Sequence, residues 1–356
     1  MNNNNIGKFY RVFLPITALA LCAVIALTVI VDPFFHYHAP LKGFPYVVDN
    51  QLLQNPGMAR NMFYDSVMTG SSMTLNFDTD DFRELMGLDL IKLCSNGAYP
   101  KDISNVLSVV FQPDSRARKN NDVKAVFAAL DISTFTAEPE ETKYPLPEYM
   151  YDRTPLNDIS YLLNKDVILE YILKPVVEKE PTDLSYVYGT TWQTEEYFNE
   201  AWVLRDYRAP EAVSEPLAAD ALIPRTKVNL EENILPYVEE HPETEFYFFF
   251  PPYSILYWNN VRVENRLDAV LAQSEYLMER LLGYQNVRVF YFQNEEEMIT
   301  DLNNYADMEH YRPAFNRYMT ECFADGTDEV FPDTVSGETE KMRKIVDSFD
   351  FGSLFE

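Results

Sequence analysis

Twenty positions, Val12 to Val31, are apolar apart from Pro15, Thr17 and Thr28. At ~1.5 Å rise per residue such a run spans a hydrocarbon core of ~30 Å. The pattern then changes to short apolar runs in a polar background. Five of these read as strands: Ser66–Thr69, Leu90–Cys94, Val123–Leu130, Glu245–Phe250 and Val287–Phe292. The last three are almost continuously apolar, as expected of strands covered on both faces.

Helical spacing fills the intervals. Asp80 is placed to cap Asp81–Met86, and Pro100 opens a segment with Ile103, Val106, Leu107 and Val110 on one face. Leu267, Val270, Leu271, Ser274, Leu277 and Leu281 mark a longer amphipathic helix. Strand alternating with helix predicts an α/β fold: three layers, α/β/α, around a five-stranded parallel sheet. Such sheets bind ligands at the carboxyl ends of their strands. The alternation breaks between about 136 and 225, a stretch rich in proline, tyrosine and acids that includes Trp192. Within it Ile159–Leu173 has helical spacing, and the rest reads as an elaborated loop or lid.

The organisation that follows is a cytoplasmic N-terminus (1–11), a transmembrane anchor (12–31), a membrane-proximal segment (32–59), an α/β domain (60–325) with an insertion at about 136–225, and a C-terminal tail and helix (326–356). Lys8 and Arg11 precede the apolar run and Asp32 follows it. The positive-inside rule keeps the N-terminus in the cytoplasm and sends the main domain outward. A cleaved signal peptide is the competing reading. The length of the run and the lack of a small-x-small site before Asp32 argue against it. Leu19-Ala20-Leu21-Cys22 resembles a lipoprotein box, but Leu21 is too large for its position and the apolar run continues.

Charge narrows the partners. Acids outnumber Lys and Arg by 56 to 29. That balance opposes nucleic acid as a ligand and any broad polyphosphate-binding surface. Cys94 and Cys322 have two readings, one disulfide or inert packed thiols. No zinc-type spacing occurs, and no cofactor is implied.

Candidate chemistry sits at two places. Gly70-Ser71-Ser72-Met73 follows the first strand, where a small residue lets the chain turn and present Ser72 at the sheet's upper edge. Asp307-Met308-Glu309-His310 follows the fifth strand and a polar loop. In a parallel sheet the two loops emerge at the same edge. Serine needs a base to take its proton, His310 supplies one, and Asp307 would fix the imidazole tautomer. The bland alternative is Asp307 capping a helix that runs through Tyr318. Acyl transfer also needs an oxyanion hole, for which the backbone N–H groups of Ser72 and Gly97 are candidates. Ser71, Asn96 and Asp131 lie in the same loops. Asp131, acceptor-only when ionised, is suited to organising its neighbours. His36 and His38 read as membrane-proximal packing rather than a metal pair, and His241 as a helix end. A metal site built from Asp307, His310 and Glu295–Glu297 has the ligand types without a convincing constellation.

These blocks resemble those of the SGNH, or GDSL-like, hydrolases. Gly70-Ser71-Ser72-Met73 is similar to their first block, Gly97 to their second-block glycine and Asp307-x-x-His310 to their last. The closer likeness is to membrane-anchored members: the D-alanyl transfer protein of teichoic acid modification and the alginate O-acetylation proteins. Asp307-Met308-Glu309-His310-Tyr311 with Asn316-Arg317-Tyr318 carries it. The resemblance implies a flavodoxin-like SGNH sheet. It also implies a Ser72–His310–Asp307 triad and an extracellular serine esterase or O-acyltransferase acting on a cell-surface polysaccharide or teichoic-acid-like polymer. A membrane acyltransferase is the implied protein partner. Two departures stand out. The Gly-x-Asn-Asp block is absent, with Leu130-Asp131-Ile132-Ser133 in its place, and Ser71 replaces an aspartate. A non-catalytic binding or assembly protein on the same fold is the alternative reading.

Overall fold

The computed structural model describes residues 3–112, 123–179, 182–191 and 195–355; Trp192 lies outside them. They form two units, Met1–Met62 with Leu146–Leu184, and Phe63–Pro145 with Ser185–Glu356. The stretch read from sequence as one insertion is thus divided between them. Helices of eight residues or more are numbered below.

In the first unit α1 (Asn3–Val31) carries the apolar run, and α2 (Gln51–Asn61) follows an irregular segment. From Ile6 to Val31 the first helix is long and apolar enough to cross a membrane. It ends at Asp32, which adopts a left-handed conformation (φ 46°). The Asp32 carboxylate is buried and collects four donors: the backbone N–H groups of His36, Tyr37 and His38 and the hydroxyl of Tyr161, at 2.7–3.0 Å. A buried carboxylate needs such partners. His36 and Tyr37 in turn reach Asp158 at 3.3 and 2.9 Å, and His38 Nδ1 lies 2.7 Å from the Ala39 carbonyl, so both half-buried histidines are tied into the segment that follows α1. Gly57 of α2 is dictated by space, because a Cβ there would lie 2.0 Å from the Phe34 carbonyl oxygen. Phe34, Met150, Tyr161 and Val167 form a small core. Helical turns at Ile159–Leu162, Val167–Leu173 and Lys174–Glu178 realise the helical reading of 159–173 and extend it.

The second unit is built on six strands: β1 (Ser66–Thr69), β2 (Leu90–Lys92), β3 (Ala125–Ala129), β4 (Glu245–Phe250), β5 (Val287–Tyr291) and β6 (Glu329–Val330). They lie in the order β2-β1-β3-β4-β5-β6, all neighbours parallel except β5 and β6. The expected five-stranded parallel sheet is therefore corrected to a mixed sheet of six. The added strand is two residues long, too short for any periodicity to announce, and follows the left-handed Gly326 (φ 84°).

Alternation along β4 explains the layering. Tyr247 and Phe249 point to one face, where Phe323 of α8 (Pro313–Asp325) and Phe82 of α3 (Thr79–Met86) join Phe127 and Phe290 in an aromatic core. Phe246 points to the other face, against Phe111 at the end of α4 (Pro100–Val110). Four more helices complete the unit: α5 (Ile223–Asn233), α6 (Ile255–Val263), α7 (Leu267–Leu281) and α9 (Val335–Ser348). Cys94 and Cys322 are buried free thiols, each held above the ordinary thiol pKa by burial, which excludes the disulfide reading. His241 stacks on Phe111 with ring centroids 3.8 Å apart.

Candidate active site

β1 delivers the chain to Gly70, whose backbone turns with φ 137°. A Cβ there would lie 3.0 Å from the Ala129 Cβ and 3.3 Å from its backbone nitrogen, so glycine is required by both conformation and space. Ser71 then caps a short helical turn, Ser72–Thr74, with its hydroxyl accepting from the Met73 N–H at 3.2 Å. Ser72 is the first residue of that turn, so its own N–H has no acceptor within it.

The second loop is a tight hairpin. Tyr305 and Tyr311 pair as an antiparallel bridge, and the Ala306 N–H donates to the His310 carbonyl at 2.9 Å. Asp307 and His310 sit at its tip, not on a helix, and α8 starts only at Pro313. The helix-capping alternative is thereby corrected. Asp307 folds the tip itself, because its Oδ1 accepts from the N–H groups of Glu309 and His310, both at 2.8 Å. Its other oxygen, Oδ2, lies 2.7 Å from His310 Nδ1. On the far side of the ring, Nε2 lies 2.8 Å from the Ser72 hydroxyl oxygen. Residues 238 positions apart thus form one continuous hydrogen-bonded chain, Ser72–His310–Asp307.

Three contacts lock the hairpin over the serine turn and the end of β4. The Tyr311 hydroxyl donates to the Met73 carbonyl at 3.0 Å. Ser254 donates to the Met308 carbonyl through its hydroxyl at 2.8 Å and its N–H at 3.1 Å. Tyr305 donates to the Pro252 carbonyl at 2.7 Å.

Charge at the site is dominated by carboxylates. Burial pushes Asp307 up, but the His310 ring and the two backbone N–H groups outweigh it and hold the carboxyl below its ordinary range. Burial works against the charged form of His310, yet Asp307, helped by Glu309 and Asp131, raises its pKa above the usual value. Glu309 is pushed up to about 7 by burial and by the nearby Asp131. Asp131 lies at the end of β3, buried, and burial raises it despite hydrogen bonds from Ser71 and the Tyr253 hydroxyl. It ties the ends of β1, β3 and β4 together beneath the serine.

Gly97 occupies the loop after β2, where its φ of 65° suits glycine. That loop is fastened to the serine loop by the Ser95 N–H donating to the Gly70 carbonyl at 2.9 Å. Asn96 is exposed on the same turn. Among the described residues no group of three His, Cys, Asp or Glu side chains is arranged to hold a metal ion. Glu295 pairs instead with Lys341, at 3.2 Å.

No family model, curated protein or solved structure matches the chain. The site therefore rests on its own geometry.

Several residues that build it carry no sequence signal of their own. Tyr253 and Ser254 matter only because the fold brings the end of β4 and the hairpin together. Lys92, in β2, is another. It is buried, and burial lowers its pKa to about 8. Its ammonium donates to the carbonyls of Leu75 and Gly189, anchoring the segment just after the serine turn. Beside Asp307 opens a cleft of about 450 Å³ lined by Trp202, Tyr207, Arg208, Asn260 and Met308 among others.

Proposed function

We propose that this chain is a membrane-anchored, extracellular SGNH-like serine esterase or O-acyltransferase that acts on acyl esters of a cell-surface glycan or cell-wall polymer. The observation that carries the reading is the pair of distances on either side of His310, 2.8 Å to Ser72 and 2.7 Å to Asp307. With Nδ1–H donating to Asp307, Nε2 is free to take the Ser72 proton as the hydroxyl attacks an ester carbonyl. The negative charge that develops on the carbonyl oxygen needs donors, and the backbone N–H groups of Ser72 and Gly97 are assigned that part. The imidazolium then returns its proton to the leaving alcohol, giving an acyl-Ser72 intermediate. Water as second acceptor gives hydrolysis, and a glycan hydroxyl gives O-acyl transfer. The Trp202 and Tyr207 rings of the cleft beside Asp307 offer stacking surface that supports a sugar-bearing substrate. The anchor and the positive charges before it support placement at the outer membrane face.

The test is covalent labelling by a fluorophosphonate probe. Labelling of Ser72 in the wild-type chain, lost in Ser72→Ala, is the expected result. A folded wild-type chain that does not label contradicts it.

One observation favours a second reading, a non-catalytic binding or assembly protein that partners a membrane acyltransferase. Asp131 occupies the place of the Gly-x-Asn-Asp block, so one oxyanion donor of the family pattern has no counterpart. Absence of labelling together with retained glycan or partner binding would select that reading.

A further inference from the structure

The helical segment 156–177 of the first unit exposes an apolar stripe that its own unit does not cover. Ile159, Leu163, Leu169, Leu173, Val176 and Val177 are all exposed, Val177 at 77%, and Leu156 just before them at 89%. Leu169, Leu173 and Val177 recur every fourth residue, so they share one side of the helical turns. The opposite side faces inward: Tyr161, Val167, Ile172 and Pro175 are buried. The outer side is mixed: Lys165, Asp166, Glu170, Lys174 and Glu178 are exposed among these apolar residues, the make-up of a surface that meets both lipid and water.

Its position says what lies there. The Thr28 hydroxyl, buried in α1, donates to the Leu162 carbonyl at 3.2 Å. Thr28 is three residues from the end of the apolar helix, about 4.5 Å below it at ~1.5 Å per residue. The turn at Ile159–Leu162 therefore rides at the depth where α1 would leave the hydrocarbon. α1 also packs against the Val167–Leu173 turns, so the exposed leucines there lie beside a helix already suited to lipid and continue its lipid-facing surface sideways. Lys165, Lys174 and Lys179 flank the stripe, with Lys174 3.2 Å from Glu170 and Lys165 4.0 Å from Asp166, and long basic side chains of this kind reach the polar boundary while their stems stay apolar.

We propose that residues 156–177 form an interfacial membrane element, lying in the headgroup–acyl boundary of the same leaflet from which α1 emerges. The occupant of the stripe is phospholipid. This goes beyond the esterase proposal and is independent of it; it rests on α1 crossing the bilayer. One apolar helix fixes depth but leaves rotation free, and a second, in-plane contact removes that freedom from the unit.

The experiment uses the full chain with Cys22→Ala, since Cys94 and Cys322 are buried. Single cysteines introduced as Leu169→Cys, Leu173→Cys or Val177→Cys carry an environment-sensitive fluorophore. The chain is reconstituted in phosphatidylcholine–phosphatidylglycerol vesicles, with nitroxide lipids or with iodide on both sides as quenchers. Several-fold stronger quenching by shallow nitroxide lipid than by iodide is expected at all three sites. Dominant iodide quenching places the stripe in water and overturns the proposal. Protection from both quenchers means that protein covers it, and overturns the proposal equally. A label at Leu19→Cys separates the premises. If it senses deep nitroxide while the stripe senses water, only the docking fails. If Leu19 itself senses water, the anchor fails and takes the docking with it.

Discussion

At the scale of single residues, three carboxylates act on one imidazole. Asp307 raises the His310 pKa, and Glu309 and Asp131 add to it. In the proposed relay the base form of His310 is the active one, so kcat/KM should rise with pH through a midpoint above the ordinary histidine value of ~6.5. Asp307→Asn removes the strongest of these influences. The acid limb should then move to lower pH while the plateau falls by about 10³–10⁴-fold, because the tautomer is no longer held. Glu309→Gln removes a charge without touching the ring's hydrogen bonds. It should move the limb in the same direction by less and leave the plateau nearly unchanged. A pH–rate profile of the three proteins reads all of this. His310→Ala should abolish turnover with an unaltered circular dichroism spectrum; full turnover in that variant would remove His310 from its role as base.

Secondary-structure elements supply the rigidity that keeps these distances short. Gly70→Ala forces a side chain into a left-handed position and into contact with Ala129. A cost of about 1–3 kcal/mol should appear as a lower unfolding midpoint, and any activity that survives should fall because Ser72 is displaced. Lys92→Met strips two carbonyls, the buried Leu75 and the partly buried Gly189, of their donor. At about 1–3 kcal/mol for each unmet group, denaturant unfolding should show a loss of about 2–6 kcal/mol. How much of this was legible beforehand follows from the physics of each element. β4 has the bounds that its continuous apolar run indicates, and β3 and β5 fall within theirs. Runs of that kind signal burial on both faces wherever the partners come from. β6 escaped because two residues carry no period. Ser72, His310 and Asp307 stand out by residue type and loop position. Lys92 and Tyr253 do not, since a buried lysine in a strand and a tyrosine after a proline pair acquire meaning only from groups distant in sequence. The alternative of Asp307 as a helix cap gives way to a hairpin tip, where Asp307 bonds to the N–H groups two and three residues ahead.

For the molecule as a whole, charge constrains the substrate. Acids exceed Lys and Arg by 56 to 29, which gives a formal charge of −27. A polyanionic acceptor approaches such a surface against repulsion, whereas a neutral glycan does not. Screening shortens from ~30 Å at 0.01 M salt to ~8 Å at 0.15 M. Transfer to a polyanionic polymer should therefore speed up over that range, while transfer to a neutral sugar should change little. Initial rates with matched charged and neutral acceptors decide it, and a charged acceptor that slows with added salt would point to a local basic subsite instead. On the same scale, Phe323 joins the aromatic core beneath β3, β4 and β5. Phe323→Ala should cost about 3–5 kcal/mol of stability in thermal or denaturant unfolding.

The most direct test of the central claim is a trapped intermediate. The full chain, mixed with an activated acetyl ester and quenched within the first turnover, is digested and its peptides weighed. The relay predicts one acetyl group on the peptide that carries Ser72, absent from Ser72→Ala and strongly reduced in His310→Ala. An ester that is turned over while Ser72 stays unmodified, or while Ser72→Ala works as fast as wild type, would contradict it.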